Sequence, residues 1–532
     1  MWLSRWFRRP RPADKLRLII PIYSQFLGWM GGEIYISNLI RLLSALPDDL
    51  RPELILMQMS HLWSRLDAFA LRLAEYKAVV AIIERNGLPR FMKADLRERL
   101  GAAKGLSGGR WSDYLAGIRA TFPVLYIETE ARFLPNPIFW IPDFQHRCLP
   151  HLFEPAEIAQ RDTCFAAIAA SGKGLILSSD AALADYRRFF PTSSTRDYVW
   201  RFHSFIAEDL ASTSDSISEF GLPERYYYIA NQFWEHKDHA TAFRALSKVR
   251  AAGRPMEIVC TGCSDDYRNS GHFLSLISIL DEAGVKDKVR LLGLVTREQQ
   301  GAIFRHATAV IQPSQFEGWS TVVEDAKAFG RPIIASDLAV HKEQLGDKGV
   351  FFKTGDSDDL ARVVLEIWDR MSPQRDSAVE DTARRSTQHL LNAAAAGFLE
   401  IIKDQPSSTC FPWHFGASSS TADFWDLACI STGIFEDFFL AANGAIIGFP
   451  AGKSSTFRCT IEDNKSENLE IWFGDNLLYT NHEAGASLSL NFKLPASRDI
   501  RLLTLRFGGL REPAERNGQL IAGRLANLTL AD

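Results

Sequence analysis

Short unbroken apolar runs alternate along this chain with stretches in which apolar residues recur at helical spacing. The first run, residues 16–23, contains Ile19, Ile20 and Ile22; it leads into a loop ending Gly28-Trp29-Met30-Gly31-Gly32, and residues 34–46 then read as a helix. A strand buried on both faces of a parallel sheet shows water no polar side, so it reads as a continuous run rather than as alternation. Strand, glycine loop and helix in that order open an α/β unit. Further runs at 54–57, 124–127, 138–141 and 174–177, separated by helical patterns, extend it into an open sheet. The alternation restarts at 226–230 and continues through 257–261, 289–292, 309–311, 332–335 and 350–352, which predicts a second parallel sheet of similar size. Residues 201–218 are the expected connection. Two such Rossmann-like sheets facing each other enclose a cleft at the carboxyl ends of their strands, where folds of this kind bind ligands.

The pattern changes after a helical stretch at 388–403. The chain turns rich in Phe, Gly, Ser and Thr, and apolar residues recur at every second position in Leu469-Ile471-Phe473, Leu488-Leu490-Phe492 and Leu503-Leu505-Phe507. Half-buried antiparallel strands have this period. The expected organisation is therefore two α/β units, 1–205 and 206–405, followed by an antiparallel β-sandwich at 409–532 in which no catalytic constellation is evident.

Composition narrows the partners. The 532 residues are several domains' worth, and a net charge of −4 gives no global attraction for nucleic acid, so any anionic ligand must be met locally. Seven cysteines, an odd number, make no disulfide framework and fit a reducing, cytoplasmic compartment. Cys260 and Cys263 form a lone CxxC without a second pair, and packing is the reading preferred over zinc. Residues 2–11 interleave Trp2, Leu3, Trp6 and Phe7 with Arg5, Arg8, Arg9 and Arg11. They read either as a peripheral contact with an anionic inner-membrane surface or as a solvated, frayed end.

The chemistry concentrates in QPSQFEGWSTVVEDAKAFGRP, residues 312–332. The stretch lies between two apolar runs, so a helix starts near Thr321 and stops at Gly330. Thr321 and Glu324 have capping-box spacing, which leaves Glu317 and Asp325 as the acids free for a ligand. Amides at Ser320, Thr321, Val322 and Val323, with the positive end of the helix dipole, suit a diphosphate. Asp356-Ser357-Asp358 has the letters of a metal-binding Asp-x-Asp, yet it sits where short acids cap a helix, and no metal is expected.

This stretch resembles the E-x7-E signature of retaining GT-B glycosyltransferases of family four. The usual E-G-F-G-L-P-x-x-E-A-M-A-x-G meets E-G-W-S-T-V-V-E-D-A-K-A-F-G without a gap, with Glu317 on the first acid and Asp325 on the second. The resemblance implies that Glu317 binds hydroxyls of the donor sugar and Asp325 the nucleotide ribose. Upstream, where the family has G-R-L-x-x-x-K, Lys237 matches the lysine that stabilises the diphosphate and Asn231 replaces the arginine. Gly31-Gly32 resembles the glycine pair whose amides approach phosphate or acceptor. Trp140-Ile141-Pro142-Asp143-Phe144-Gln145-His146 looks like an element of a bacterial branch of these enzymes, and would set His146 across the cleft from the donor sugar; the plain alternative is a histidine bonded at a strand end.

What the resemblance implies is a metal-independent transfer from a nucleotide-diphosphate sugar to a glycan or lipid-linked acceptor with retained configuration, in the synthesis of bacterial surface polysaccharide such as lipopolysaccharide. Lys237, Glu317 and His146 are the candidate catalytic residues, and no cofactor beyond the donor is expected. Two other readings stay open: a non-catalytic sugar- or nucleotide-binding protein on the same fold, and a GT-B epimerase.

Overall fold

The structure is a computed structural model. It describes residues 15–23, 30–59, 63–84, 89–100, 114–115, 117–125, 134–205, 220–266, 268–373 and 375–405, and then the strands between Ile430 and Ala531. The basic, tryptophan-rich residues 2–11, the loop before Met30, the middle of the connection (206–219) and the expected start of the third unit at 409 lie outside the described residues.

The first unit is an eight-stranded sheet of β1 (Arg17–Ile22), β2 (Glu53–Gln58), β3 (Val79–Glu84), β4 (Pro89–Met92), β5 (Ala120–Val124), β6 (Pro137–Ile141), β7 (Gly174–Leu177) and β8 (Arg196–Val199), in the order β4-β3-β2-β1-β5-β6-β7-β8. Only β4 runs antiparallel to its neighbour. One apolar run serves two cores: Leu18, Ile20 and Ile22 of β1 pack on one face of the sheet and Ile19 on the other. β3, β4 and β8 were not expected, and β5 ends where the run at 124–127 was expected to begin. Thr121 and Pro123 interrupt the apolar character of β5, and β8, partly open to solvent at the sheet edge, is free to be polar.

The second unit is an all-parallel six-stranded sheet of β9 (Tyr227–Ile229), β10 (Ile258–Cys260), β11 (Val289–Leu291), β12 (Ala309–Gln312), β13 (Ile333–Ser336) and β14 (Val350–Phe352), ordered β11-β10-β9-β12-β13-β14. Its six strands coincide with the six apolar runs to within a residue or so at each end. The last helix, Ser377–Asp404, crosses back: Leu391, Ala395, Phe398, Leu399 and Ile402 join the core of the first sheet. Trp200 Nε1 donates to the Ala394 carbonyl at 2.9 Å, and the Trp200 and Phe398 rings lie 5.1 Å apart.

Beyond it the strands form two antiparallel five-stranded sheets. The period of two is visible in burial: Leu469 and Ile471 are buried with Glu470 half-buried between them, and Leu490 is buried between exposed Ser489 and Asn491. Among the described residues no helix is long and apolar enough to cross a membrane.

Candidate functional site

A cavity of 1110 Å³ opens between the two α/β units, with Gly31, Tyr35 and Gln145 on one wall and Lys237, Glu317 and Thr321 on the other. Its size is that of a site for a large small-molecule ligand. The walls are the carboxyl ends of the strands, as the doubly wound topology requires.

After β9 the chain passes Asn231 and makes a short 3-10 turn, Glu235–Lys237; Asp238 takes a left-handed conformation (φ 50°) and caps the helix His239–Ala251 by accepting from the Thr241 amide. After β12 it runs through Ser314 to Glu317. The two segments meet: Lys237 Nζ lies 2.7 Å from Glu317 Oε1. Gln312 Nε2 (2.8 Å) and Ser314 Oγ (2.7 Å) donate to the same oxygen, while no bond falls on Oε2 among the described residues. Burial pushes the Glu317 carboxyl up, but the charges of Lys237 and His341 and the bonds from Lys237 and Ser314 outweigh it and hold it below the usual carboxylate range. Asn231 donates to Gln312 Oε1 at 2.9 Å and so orients the amide that grips Glu317. Its own backbone is crowded by Gly262, where φ is 141° and a side chain would overlap the Asn231 carbonyl.

The helix Thr321–Ala328 starts as expected, and Gly330 (φ 64°) follows its end. The expected capping box is not there. Ser320, not Thr321, is the N-cap, its hydroxyl accepting from the Val323 amide at 3.3 Å. Glu324 turns to other partners, His203 Nδ1 at 2.7 Å, Lys327 Nζ at 2.8 Å and Gln344 Nε2 at 3.0 Å. Gln344 also takes the Ser320 amide. The open amides are therefore those of Thr321 and Val322, which have no protein acceptor among the described residues and line the cavity. Asp325 is not free either: both its oxygens are held by Arg297 and it is 2% exposed. An acid so paired and buried does not line the cavity, which departs from the ribose contact expected of it.

On the first unit, Gly31 and Gly32 are not in a loop but in the first turn of the helix Met30–Ala45; Gly31 lines the cavity and Gly32 is buried. His146 does not face the cleft. It is fully buried, its Nε2 3.1 Å from Asp162 Oδ1, with Phe153 and Phe165 against the ring. Burial lowers its pKa against the opposing bond to Asp162. Gln145, one residue earlier, has the cleft position. The same motif has a second role: Gly318 packs so tightly on Pro142 and Asp143 that a Cβ would overlap the Pro142 carbonyl, and Ser179 Oγ donates to the Gly318 carbonyl at 2.9 Å. The two units thus touch beside Glu317.

Asp356 caps the helix Ser357–Ile367 through the amides of Asp358 and Asp359, as its position suggested, and Cys260 is a buried free thiol. Among the described residues no cluster of three His, Cys, Asp or Glu side chains could hold a metal. Sequence reasoning missed Tyr35, whose ring stacks on Trp140 at 4.2 Å, and Arg268 on the opposite wall. Neither belongs to a motif; Arg268 stands in a loop of charged residues where nothing singles it out.

Residues 213–385 match the family model of the glycosyl transferases group 1. The chain is 29% identical over 133 residues (24% of this chain, 31% of that protein) to the D-inositol 3-phosphate glycosyltransferase of Mycolicibacterium smegmatis. It is 28% identical over 179 residues (33% of this chain, 48% of that protein) to the O-antigen chain mannosyltransferase of Salmonella typhimurium. It thus spans less than half of the length of each of these curated relatives. A solved glycosyltransferase from Rickettsia africae superposes with a TM-score of 0.52 at 13% identity, over 74% of this chain and 98% of that one, a likeness of fold.

Proposed function

We propose that this protein is a retaining, metal-independent glycosyltransferase of the GT-B type and family four. It moves a sugar from a nucleotide-diphosphate sugar to a glycan or lipid-linked acceptor in bacterial surface polysaccharide synthesis, in the cytoplasm and peripheral to the inner membrane through residues 2–11. The carrying observation is the Lys237–Glu317 pair at 2.7 Å beside the open amides of Thr321 and Val322. The match of residues 213–385 to glycosyl transferases group 1 and the likeness to an O-antigen mannosyltransferase support it.

Breaking the anomeric C–O bond leaves its electron pair on a phosphate oxygen. Stabilising that growing negative charge with preorganised donors is the main requirement. Lys237 and the Thr321 and Val322 amides at the helix start are suited to it. Glu317 Oε2 accepts from a hydroxyl of the donor sugar, while its Oε1 keeps Lys237 in place. The acceptor hydroxyl attacks the same face and gives its proton to the departing phosphate. The two antiparallel sheets at the end of the chain stack as an accessory sandwich.

The test is diphosphate release from UDP- and GDP-hexoses, with and without a chelator, and the anomeric configuration of the product by NMR. Release that persists with chelator and disappears in Glu317→Gln and Lys237→Ala supports the reading. Absence of release from every donor, or release unchanged in both variants, overturns it.

A further inference from the structure

His146 is turned into the core, and the place it was expected to take on the cavity wall belongs to its neighbour. Phe144 and His146 both pack on Phe165, with rings 5.6 and 5.4 Å apart, and Gln145 between them lines the cavity. The backbone there is fixed. The Gln145 amide donates to Asp143 Oδ1 at 2.9 Å, and Asp143 and Pro142 pack in turn on Gly318, next to Glu317. Gln145 therefore stands on the first unit's wall close to the point where the two units touch.

The orientation of its side-chain amide follows from a single contact. Gln145 Oε1 accepts from Arg268 Nη1 of the opposite unit at 3.3 Å. A guanidinium has donors only, so the amide oxygen must face it and the NH2 group must face away. That NH2 is left over: Nε2 is buried and has no hydrogen-bond partner among the described residues. Buried donors are nearly always paired, and one left unpaired in the wall of a cavity is a donor placed for a ligand's acceptor.

Among the described residues, two cavity-lining side chains carry such an orphan, Gln145 and Tyr35, both on the first unit. Tyr35 is the weaker pointer. Its ring is enclosed by Trp140, Trp200 and Phe202, and a hydroxyl that both donates and accepts does not say which partner it wants. The Gln145 amide group donates only. A neutral donor of this kind suits a sugar hydroxyl oxygen, and the second unit's Glu317, an acceptor, offers the opposite polarity nearby.

We infer that Gln145 is a specificity-determining residue for the transferred sugar: its Nε2 donates to one hexose hydroxyl while Glu317 accepts from another. The sugar is then read from both units at once, by an amide on the first and a carboxylate on the second. The inference rests on the nucleotide-sugar reading above.

The experiment is isothermal titration of the full chain, wild type and Gln145→Met, with UDP, GDP, UDP-glucose, UDP-galactose and GDP-mannose. Monodeoxy forms of the sugar nucleotide that wild type binds are then titrated into both proteins. Methionine is similar in length to glutamine and has no N–H. Loss of one neutral hydrogen bond corresponds to about 2- to 10-fold in affinity. Gln145→Met is expected to lose that much for the sugar nucleotide and nothing for the bare diphosphate. One monodeoxy form should lose as much on wild type and nothing further on the variant, because the two changes remove the same bond. Deoxy losses that are equal in the two proteins overturn the inference and leave the transferase reading standing, as does a variant that binds the sugar nucleotide as tightly as wild type. Equal losses for sugar nucleotide and bare diphosphate also overturn it, since they mark a displaced wall. A wild-type protein that binds none of the sugar nucleotides overturns the donor reading, and this inference with it.

Discussion

Arg297 holds Asp325 by both carboxylate oxygens, at 2.6 Å each, and Ser204 of the connection between the units bonds to the same aspartate. The acid that by resemblance would bind a ribose is thus a joint between the connection and the helix Thr321–Ala328. Arg297→Ala would leave a buried carboxylate unpaired, at a cost on the order of 3 kcal/mol. Adding Asp325→Asn should return most of that loss. Urea denaturation of the single and double variants checks this, and a single variant as stable as wild type would show that the pair anchors nothing.

Gly318 is a close backbone approach between the units at the cleft. Because a Cβ there meets the Pro142 carbonyl and Asp143 Cβ, Gly318→Ala must push the WIPDF element away from Glu317. In the transferase reading a misplacement of about 1 Å costs on the order of 100-fold in turnover. The expected outcome is a large fall in kcat with a melting temperature within a few degrees of wild type. Wild-type turnover would mean that the two elements separate freely during the reaction.

Phe398 lies on the second unit's last helix but is buried in the first unit's core, against Trp200 and Phe122. Phe398→Ala is expected to destabilise the protein by about 3–5 kcal/mol, as a large buried aromatic does when truncated. The loss should appear in the first unit, so tryptophan emission from Trp140 and Trp200 is the probe to follow in a denaturant titration.

The second sheet was legible almost to the residue because its strands are all parallel and each is mostly apolar, Arg290 on the edge strand β11 being the chief exception. The first was less so, since β5 carries Thr121 and Pro123 and β8 is an edge strand, and neither leaves an unbroken run. At the site, the sequence brought Lys237 and Glu317 forward on motif spacing, and the structure places them in contact. Glu324 and Asp325 were misjudged for one reason: spacing along a helix gives neighbours on its own surface but not partners such as His203, Gln344 and Arg297 that arrive from elsewhere in the chain. His146 failed similarly, because a motif fixes that a histidine follows a strand but not which way its ring turns.

His239 makes stability depend on acid. It is fully buried, stacked on Phe233 at 4.4 Å, and neither ring nitrogen has a hydrogen-bond partner among the described residues. Burial, with like charge from His272 and Lys237 behind it, pushes its pKa down from 6.5 to about 3. The unfolded chain therefore binds a proton between those values that the folded one refuses. The contribution is intact above pH 6.5 and is lost progressively as pH falls toward 3. At pH 5 this amounts to about 2 kcal/mol, at 1.36 kcal/mol per unit. His236 and His341 are shifted in the same direction, so they share the acid sensitivity. His239→Leu should then be close to neutral at pH 7.5 and should lose about 2 kcal/mol less than wild type on moving to pH 5, measured by urea denaturation at the two pH values. Parallel losses in both proteins would mean that the imidazole gains a proton without unfolding.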